Sequence, residues 1–245
     1  MPKANQQNPD RLARASGFGR IAGVDEAGRG PWAGPVVAAA VILRRRRLAV
    51  RIDDSKKLTA SQRAKAFHVI LASADVGIGV VGAEAIDRSR ILRATLLAMQ
   101  QAVEDLTEAP DLVLIDGTVT PALTMPCWPI VHGDQRSYVI GCASIVAKVF
   151  RDRLMAFYHE LDPRYAFDRH KGYGTAAHAA ALELFGPSLF HRVSFRPVAD
   201  KIYGAGPAAA PPHASSPRRT IAVVGSGRRG GLGSASPAPE FFDAF

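Results

Sequence analysis

Ile21-Ala-Gly-Val-Asp25-Glu-Ala-Gly-Arg-Gly30-Pro-Trp-Ala-Gly-Pro35-Val-Val-Ala-Ala-Ala40-Val-Ile-Leu43 reads as two β-type runs, Ile21 to Asp25 and Val36 to Leu43, joined by a bend rich in glycine and proline. Working outward, Thr59 and Gln62 have capping-box spacing and open a helix with Phe67, Ile70 and Leu71 on its apolar face. Val76 to Val81 is a further strand. Between Ile91 and Leu106, Leu92, Leu96, Met99, Val103 and Leu106 recur at helical intervals, so Met99 is a packing residue. Leu112 to Ile115 and Trp128 to Val131 are compact apolar runs that suit strands. Cys142 to Tyr158 and Thr175 to Phe185 suit helices, the last stopped by Gly186-Pro187. A hairpin-like pair followed by strands alternating with helices predicts an α/β domain on a mixed sheet.

The domain is expected over residues 19–203, without internal repeats. Residues 1–18 are polar and unpatterned and are expected to be a flexible N-terminal segment. From Gly204 onward 27 of 42 residues are Gly, Pro, Ser or Ala, too little apolar surface to offset the entropy of ordering, so residues 204–245 are expected to be a disordered tail. Gly225-Ser-Gly227-Arg-Arg-Gly230 in this tail has the GxGxxG spacing of a dinucleotide site. Only fifteen loop-like residues follow it, with no room for the helix and second strand that such a site requires.

The 245 residues carry 31 Lys and Arg against 22 Asp and Glu, a net charge of +9, which suits an acidic partner such as nucleic acid or an ordinary basic surface equally. Most of the excess lies in the two ends. No apolar stretch is long enough to span a membrane and the N-terminus is too polar for a secretory signal, so a soluble cytoplasmic protein is expected. Cys127 and Cys142, the two cysteines, build neither a metal spacing nor a disulfide framework and read as small buried hydrophobes.

Three strands end in acid: Asp25-Glu26, Asp116 before Gly117, and Asp134 after Val131-His-Gly133. Open sheets place ligands at strand ends, and carboxylates there suit Mg²⁺ or Mn²⁺ in phosphoryl transfer. Each acid is also compatible with capping a turn. Adjacent residues of a strand face opposite ways, so Asp25 and Glu26 share a site only if the strand ends there and bends through Ala27-Gly28. The glycines at 28, 30 and 34 are off the spacing of a dinucleotide loop and suit close backbone approach to a ligand. Ser144, Lys148 and Arg151 fall on one helix face, compatible with a solvated stripe or with phosphate contacts, and Lys56 and Lys57 are similar candidates. The Arg44 to Arg47 run reads as an exposed turn between strands, with incidental phosphate attraction. His170, His178 and His191 make no metal spacing and are expected to pack or hydrogen-bond.

Asp25-Glu-Ala-Gly-Arg-Gly-Pro31, Asp54-Ser-Lys-Lys-Leu58, Ile115-Asp-Gly117, Ala143-Ser-Ile-Val-Ala-Lys148 with Arg151-Asp-Arg153, and His170-Lys-Gly-Tyr173 resemble, in that order, the signatures of ribonuclease HII, a type 2 ribonuclease H. The resemblance covers about residues 20–200. It implies an RNase H-like α/β fold, a mixed sheet flanked by helices with a C-terminal helical extension. It further implies an endonuclease dependent on Mg²⁺ or Mn²⁺, with Asp25, Glu26, Asp116 and Asp134 as metal-holding acids. Its partners would be RNA–DNA hybrids and duplex DNA containing ribonucleotides, and it is expected to act as a monomer. Gly28, Arg29 and Gly30 would meet the ribose 2′-hydroxyl, with Tyr173 beside the sugar; Lys56, Ser144, Lys148 and Arg151 would bind substrate. His132 stands where the family often has a lysine, and Ser137-Tyr138-Val139 replaces a segment that often contains Pro and Glu. A phosphohydrolase of small esters and a non-catalytic hybrid-binding module are the competing readings.

Overall fold

A computed structural model describes residues 8–53, 55 and 57–204. In chain order these form α1 (Pro9–Ala15), β1 (Ile21–Ala27), β2 (Val36–Leu43), α2 (Ala60–Ser73), β3 (Ala74–Val81), α3 (Ala83–Ser89), α4 (Ile91–Glu104), β4 (Leu112–Asp116), β5 (Cys127–Ile130), α5 (Gly133–Arg136), α6 (Tyr138–Leu161), α7 (Phe167–His170), α8 (Ala176–Phe185) and α9 (Arg196–Tyr203). The expected tail beyond Gly204, with its glycine-rich run, lies outside the described residues.

The five strands form one sheet in the order β3-β2-β1-β4-β5. β1 pairs antiparallel with β2 and β2 with β3, whereas β1 with β4 and β4 with β5 are parallel. The central strand is therefore hydrogen-bonded on both sides, and the residues of β1 from Ile21 to Asp25 and of β2 from Val36 to Ile42 are buried, as a sheet covered on both faces demands. Ile21, Ala39, Val41, Leu112 and Leu114 pack against α6 and α2, through Ile140, Ala143, Ala147, Phe67 and Ile70. On the other face Ala22, Val24, Ala40, Val113 and Ile115 pack against α3 and α4 through Ile86, Ala94, Ala98 and Met99. A third cluster, Ala33, Met155, Tyr165 and Phe167, fastens the far end of α6 to the C-terminal extension formed by α7, α8 and α9.

Local signals explain the helix starts. Thr59 accepts from the Gln62 amide at 3.2 Å while the Gln62 side chain accepts from the Thr59 amide at 2.9 Å, completing the predicted capping box. The expectation of flexibility up to residue 18 is corrected by α1, which Asn8 caps and Pro9 starts. Asp10 on α1 accepts from the Ser137 hydroxyl at 3.0 Å and from the amides of Tyr138 and Val139 at 2.8 and 3.3 Å. It thereby satisfies the exposed donors that begin α6. Ser137, Tyr138 and Val139 are thus the residues that engage this N-terminal acid.

Cys142 is buried and Cys127 half-buried, both as free thiols, and Arg44 to Arg47 are exposed as expected, though they lead into α2 rather than into a strand. Among the described residues no helix is long and apolar enough to cross a membrane.

Candidate active site

β1 carries Asp25 and Glu26, and its neighbour β4 carries Asp116. Val24 is paired with Ile115, so both strands bring their acids to the same end of the sheet. β1 continues through Ala27, two residues past the predicted end. The bend comes at Gly28, with φ +97°, a conformation in which a side chain is strained. Gly28 also admits no Cβ, which would collide with Arg151 Nε.

Asp25 is 6% exposed and accepts from the Glu26 amide at 2.7 Å. Burial, with the charges of Glu26 and Asp116, holds its carboxyl well above the usual range, opposed by the Ser144 hydroxyl and the Glu26 amide. Burial likewise raises Glu26, against the pull of Arg29, whose Nη1 lies 3.3 Å from Glu26 Oε1. Glu26 Oε2 is buried without a hydrogen-bond partner among the described residues. Asp116 Oδ1 accepts from the Gly133 amide at 2.6 Å, which ties β4 to α5, where half-buried Asp134 follows Gly133.

An orphaned buried carboxylate oxygen beside mutually repelling acids fits a divalent cation, which would compensate the desolvation and repulsion together. Among the described residues no three His, Cys, Asp or Glu side chains are gathered closely enough to hold a metal by themselves. An open set of oxygen donors suits a cation that keeps waters and substrate oxygens as ligands.

Of the other sequence-derived candidates, the structure brings Gly30 and Tyr173 together: a Cβ on Gly30 would lie 3.9 Å from Tyr173 Cε1. Tyr173 is 44% exposed, and its ring stands 6.0 Å from the Arg151 guanidinium carbon. Lys148 is partly exposed and paired with Asp152 at 2.7 Å. Arg151 is not on a solvated stripe. It is 1% exposed and donates to the carbonyls of Pro35, Lys171 and Ala33 at 2.9, 3.0 and 3.2 Å, so its guanidinium is a strut between the Gly28–Pro35 bend and the Tyr173 segment rather than a phosphate contact. Ser144 is likewise buried, its hydroxyl 3.2 Å from that of Ser55, and it acts on Asp25 rather than on solvent. Lys56 lies outside the described residues.

The histidines form a directed chain behind Tyr173. His178 Nδ1 faces the Tyr173 carbonyl at 2.9 Å and therefore carries the proton. Its Nε2 then accepts from His191 Nε2, 3.0 Å away, and His191 Nδ1 accepts from the Ser188 amide at 3.0 Å. Burial and the neighbouring His178 push the pKa of His191 down to about 4, so the chain is neutral at physiological pH. Sequence reading also passed over Arg192, a lone arginine in a loop without local pattern, which is fully buried against the bend.

The ribonuclease HII family model matches residues 22–198. A ribonuclease HII of Chlamydia muridarum is 52% identical over 188 residues, covering 76% of this chain and 86% of that protein. Among solved structures, the ribonuclease H2 of Pyrococcus horikoshii superposes with a TM-score of 0.63 at 22% identity, covering 74% of this chain and 96% of that one. A Bst-RNase HIII in complex with Mn²⁺ gives 0.59 at 18% identity over 82% of this chain and 75% of that one. The sheet order, the acids at its strand ends and the sequence match agree, and the chain belongs to the ribonuclease HII family of nucleases.

Proposed function

We propose that this nuclease cuts the RNA strand of RNA–DNA hybrids and the 5′ side of ribonucleotides embedded in duplex DNA, leaving 3′-hydroxyl and 5′-phosphate ends. The observation that carries this reading is the juxtaposition of the acids on β1 and β4, Asp25 buried and Glu26 and Asp116 half-buried, with the exposed Arg29–Gly30 tip of the bend and the Tyr173 ring. The acids suit phosphodiester hydrolysis, and the bend with the ring suits a sugar in a groove. RNA is told from DNA through its 2′-hydroxyl and the helix shape that it enforces.

Asp25, Glu26, Asp116 and Asp134 would hold two Mg²⁺ or Mn²⁺ ions, which when bound polarise the phosphate, lower the pKa of an attacking water and stabilise the leaving 3′-oxygen. Burial and the neighbouring acids raise the pKa of Asp25 and Glu26, and a bound cation would favour their charged forms beyond what Arg29 supplies to Glu26. The amide of Gly133 orients Asp116. Arg29, beside Glu26, and Lys148, paired with Asp152, would contact phosphates, and such contacts set register without selecting a sugar. Tyr173 is partly exposed next to Gly30, where it would pack against the sugar neighbouring the scissile bond.

The test is incubation with duplex DNA containing one ribonucleotide, in Mg²⁺, Mn²⁺ or EDTA, with mapping of the product ends. Cleavage 5′ to the ribonucleotide in either metal and none in EDTA is expected. Cleavage of an all-DNA duplex at the same rate would remove the sugar from the reading.

A further inference from the structure

Beside Arg151, which holds Ala33 and Pro35, a second buried arginine holds the first part of the Gly28–Gly34 bend from behind. Arg192 donates from Nη2 to the Gly28 carbonyl at 2.6 Å, from Nη1 to the Arg29 carbonyl at 3.0 Å and from Nε to the Gly34 carbonyl at 2.8 Å. Its backbone amide adds a bond to the Trp32 carbonyl at 2.8 Å. Burial and the nearby Arg151 bring its pKa down to about 9, which leaves the guanidinium charged at neutral pH. Its side-chain hydrogen bonds all go to main-chain carbonyls of one bend.

That arrangement fixes where the amides point. No peptide among the described residues is cis, and in a trans peptide the carbonyl and the following N–H point in opposite directions. With the Gly28 carbonyl turned inward to Arg192, the Arg29 amide points outward; with the Arg29 carbonyl turned inward, the Gly30 amide does the same. Arg29 and Gly30 are exposed, and neither amide donates to any described residue.

We propose that Arg192 is a positioning residue for sugar recognition: by pinning the carbonyls of Gly28 and Arg29 it aims the amides of Arg29 and Gly30 at the oxygen of a substrate 2′-hydroxyl. This rests on the reading of the bend as the wall that meets the sugar. A planar guanidinium suits the task because its forked donors reach three carbonyls at fixed angles, which the point charge of a lysine does not. A deoxy sugar at the same place strips water from two amides and supplies no acceptor, and an unmade buried hydrogen bond costs more than a made one gains. Selection thus comes from donors fixed before the substrate arrives rather than from a side chain that must be ordered on binding.

The test measures binding in EDTA, apart from catalysis, to two duplexes that are identical except for one ribonucleotide. Wild type is expected to prefer the ribonucleotide duplex. Arg192→Lys and Arg192→Gln are expected to lower that preference roughly 10-fold, the scale of one or two hydrogen bonds, with affinity for the all-DNA duplex unchanged. A residue that merely supported the fold would weaken both duplexes alike, and that outcome overturns the proposal. So does loss of the folded state in both variants. Gly30→Ala separates the two levels of the argument: if it abolishes the preference while both Arg192 variants keep it, Arg192 is wrong and the bend stands. If wild type shows no preference, or Gly30→Ala keeps it, the bend itself is misread.

Discussion

The Gly133 amide donates to Asp116 Oδ1 at 2.6 Å, so one acid of the proposed site is oriented by the turn that carries another, Asp134. An asparagine oxygen accepts the same bond. Asp116→Asn is therefore expected to keep the melting temperature within a few degrees while reducing cleavage by at least ~10²-fold, as loss of a charged ligand does. Turnover close to wild type in Mg²⁺ would take Asp116 out of the site.

Asp25 is expected to trade stability for activity. A carboxyl raised in the folded state lets the native protein bind protons more readily than the unfolded chain, so this group lowers stability as pH rises above its ordinary range near 3.8. Asp25→Asn should raise the stability of the metal-free protein at pH 7 by about 1–2 kcal/mol, a typical gain when a functional site is neutralised, and abolish cleavage. Mg²⁺ should raise the melting temperature of wild type more than that of the variant. Denaturant melts with and without metal decide it.

The two glycines of the bend should respond differently. Gly28→Ala places a side chain at φ +97° and against Arg151, and should cost more than ~2 kcal/mol of stability. Gly30→Ala meets only the Tyr173 ring edge, at 3.9 Å, and should fold normally while cleaving an embedded ribonucleotide at least ~10-fold more slowly, about the effect of 1.4 kcal/mol on the barrier. Equal thermal stability for the two variants contradicts the geometry of the bend.

Tyr173, 44% exposed, buries only part of its surface. Tyr173→Ala should lower stability by less than ~1.5 kcal/mol and lower cleavage at an isolated ribonucleotide by well over ~10-fold. A variant that unfolds readily, or that cuts at the wild-type rate, rejects its placement beside the sugar.

The histidine chain sets an acid limit. His191, held down to about 4, stays neutral in the folded state while the unfolded chain protonates near its ordinary 6.5. Stability should therefore fall as pH drops from 6.5 toward 4, because the unfolded state then binds more protons. Asp25 acts in the opposite sense, so the slope is best read from urea melts of Asp25→Asn. No loss over that window would mean that His191 is charged in the fold.

Where signals were local, the sequence was legible. The Thr59 and Gln62 box, the apolar period of α4 and the short run of β4 each declare themselves within a few residues, and the strand-end acids stand out because carboxylates rarely close apolar runs without a reason. Asn8-Pro9-Asp10 carries a helix-start signal too, obscured by the polar residues before it. Arg151 was misjudged because helical spacing tells which residues share a face but not what covers it; the carbonyls of Ala33, Pro35 and Lys171 arrive from distant segments. Arg192 had no pattern at all. Its role exists only in the pairing of a C-terminal loop with an N-terminal bend.

That pairing has a consequence for the order of events during synthesis. The bond from Arg192 to Gly28 spans 164 positions, and β1 lacks its parallel neighbour until β4 has been made. The hairpin of β1 and β2 emerges from the ribosome early, carrying two acids and an unclamped bend. At roughly 5–20 residues per second, many seconds pass before the clamp follows. A growing chain, or one ended by premature termination before Arg192, thus has the acids of β1 but not the side chain that holds the Gly28 and Arg29 carbonyls, and the proposed choice of sugar would be acquired only when translation of the domain is nearly complete.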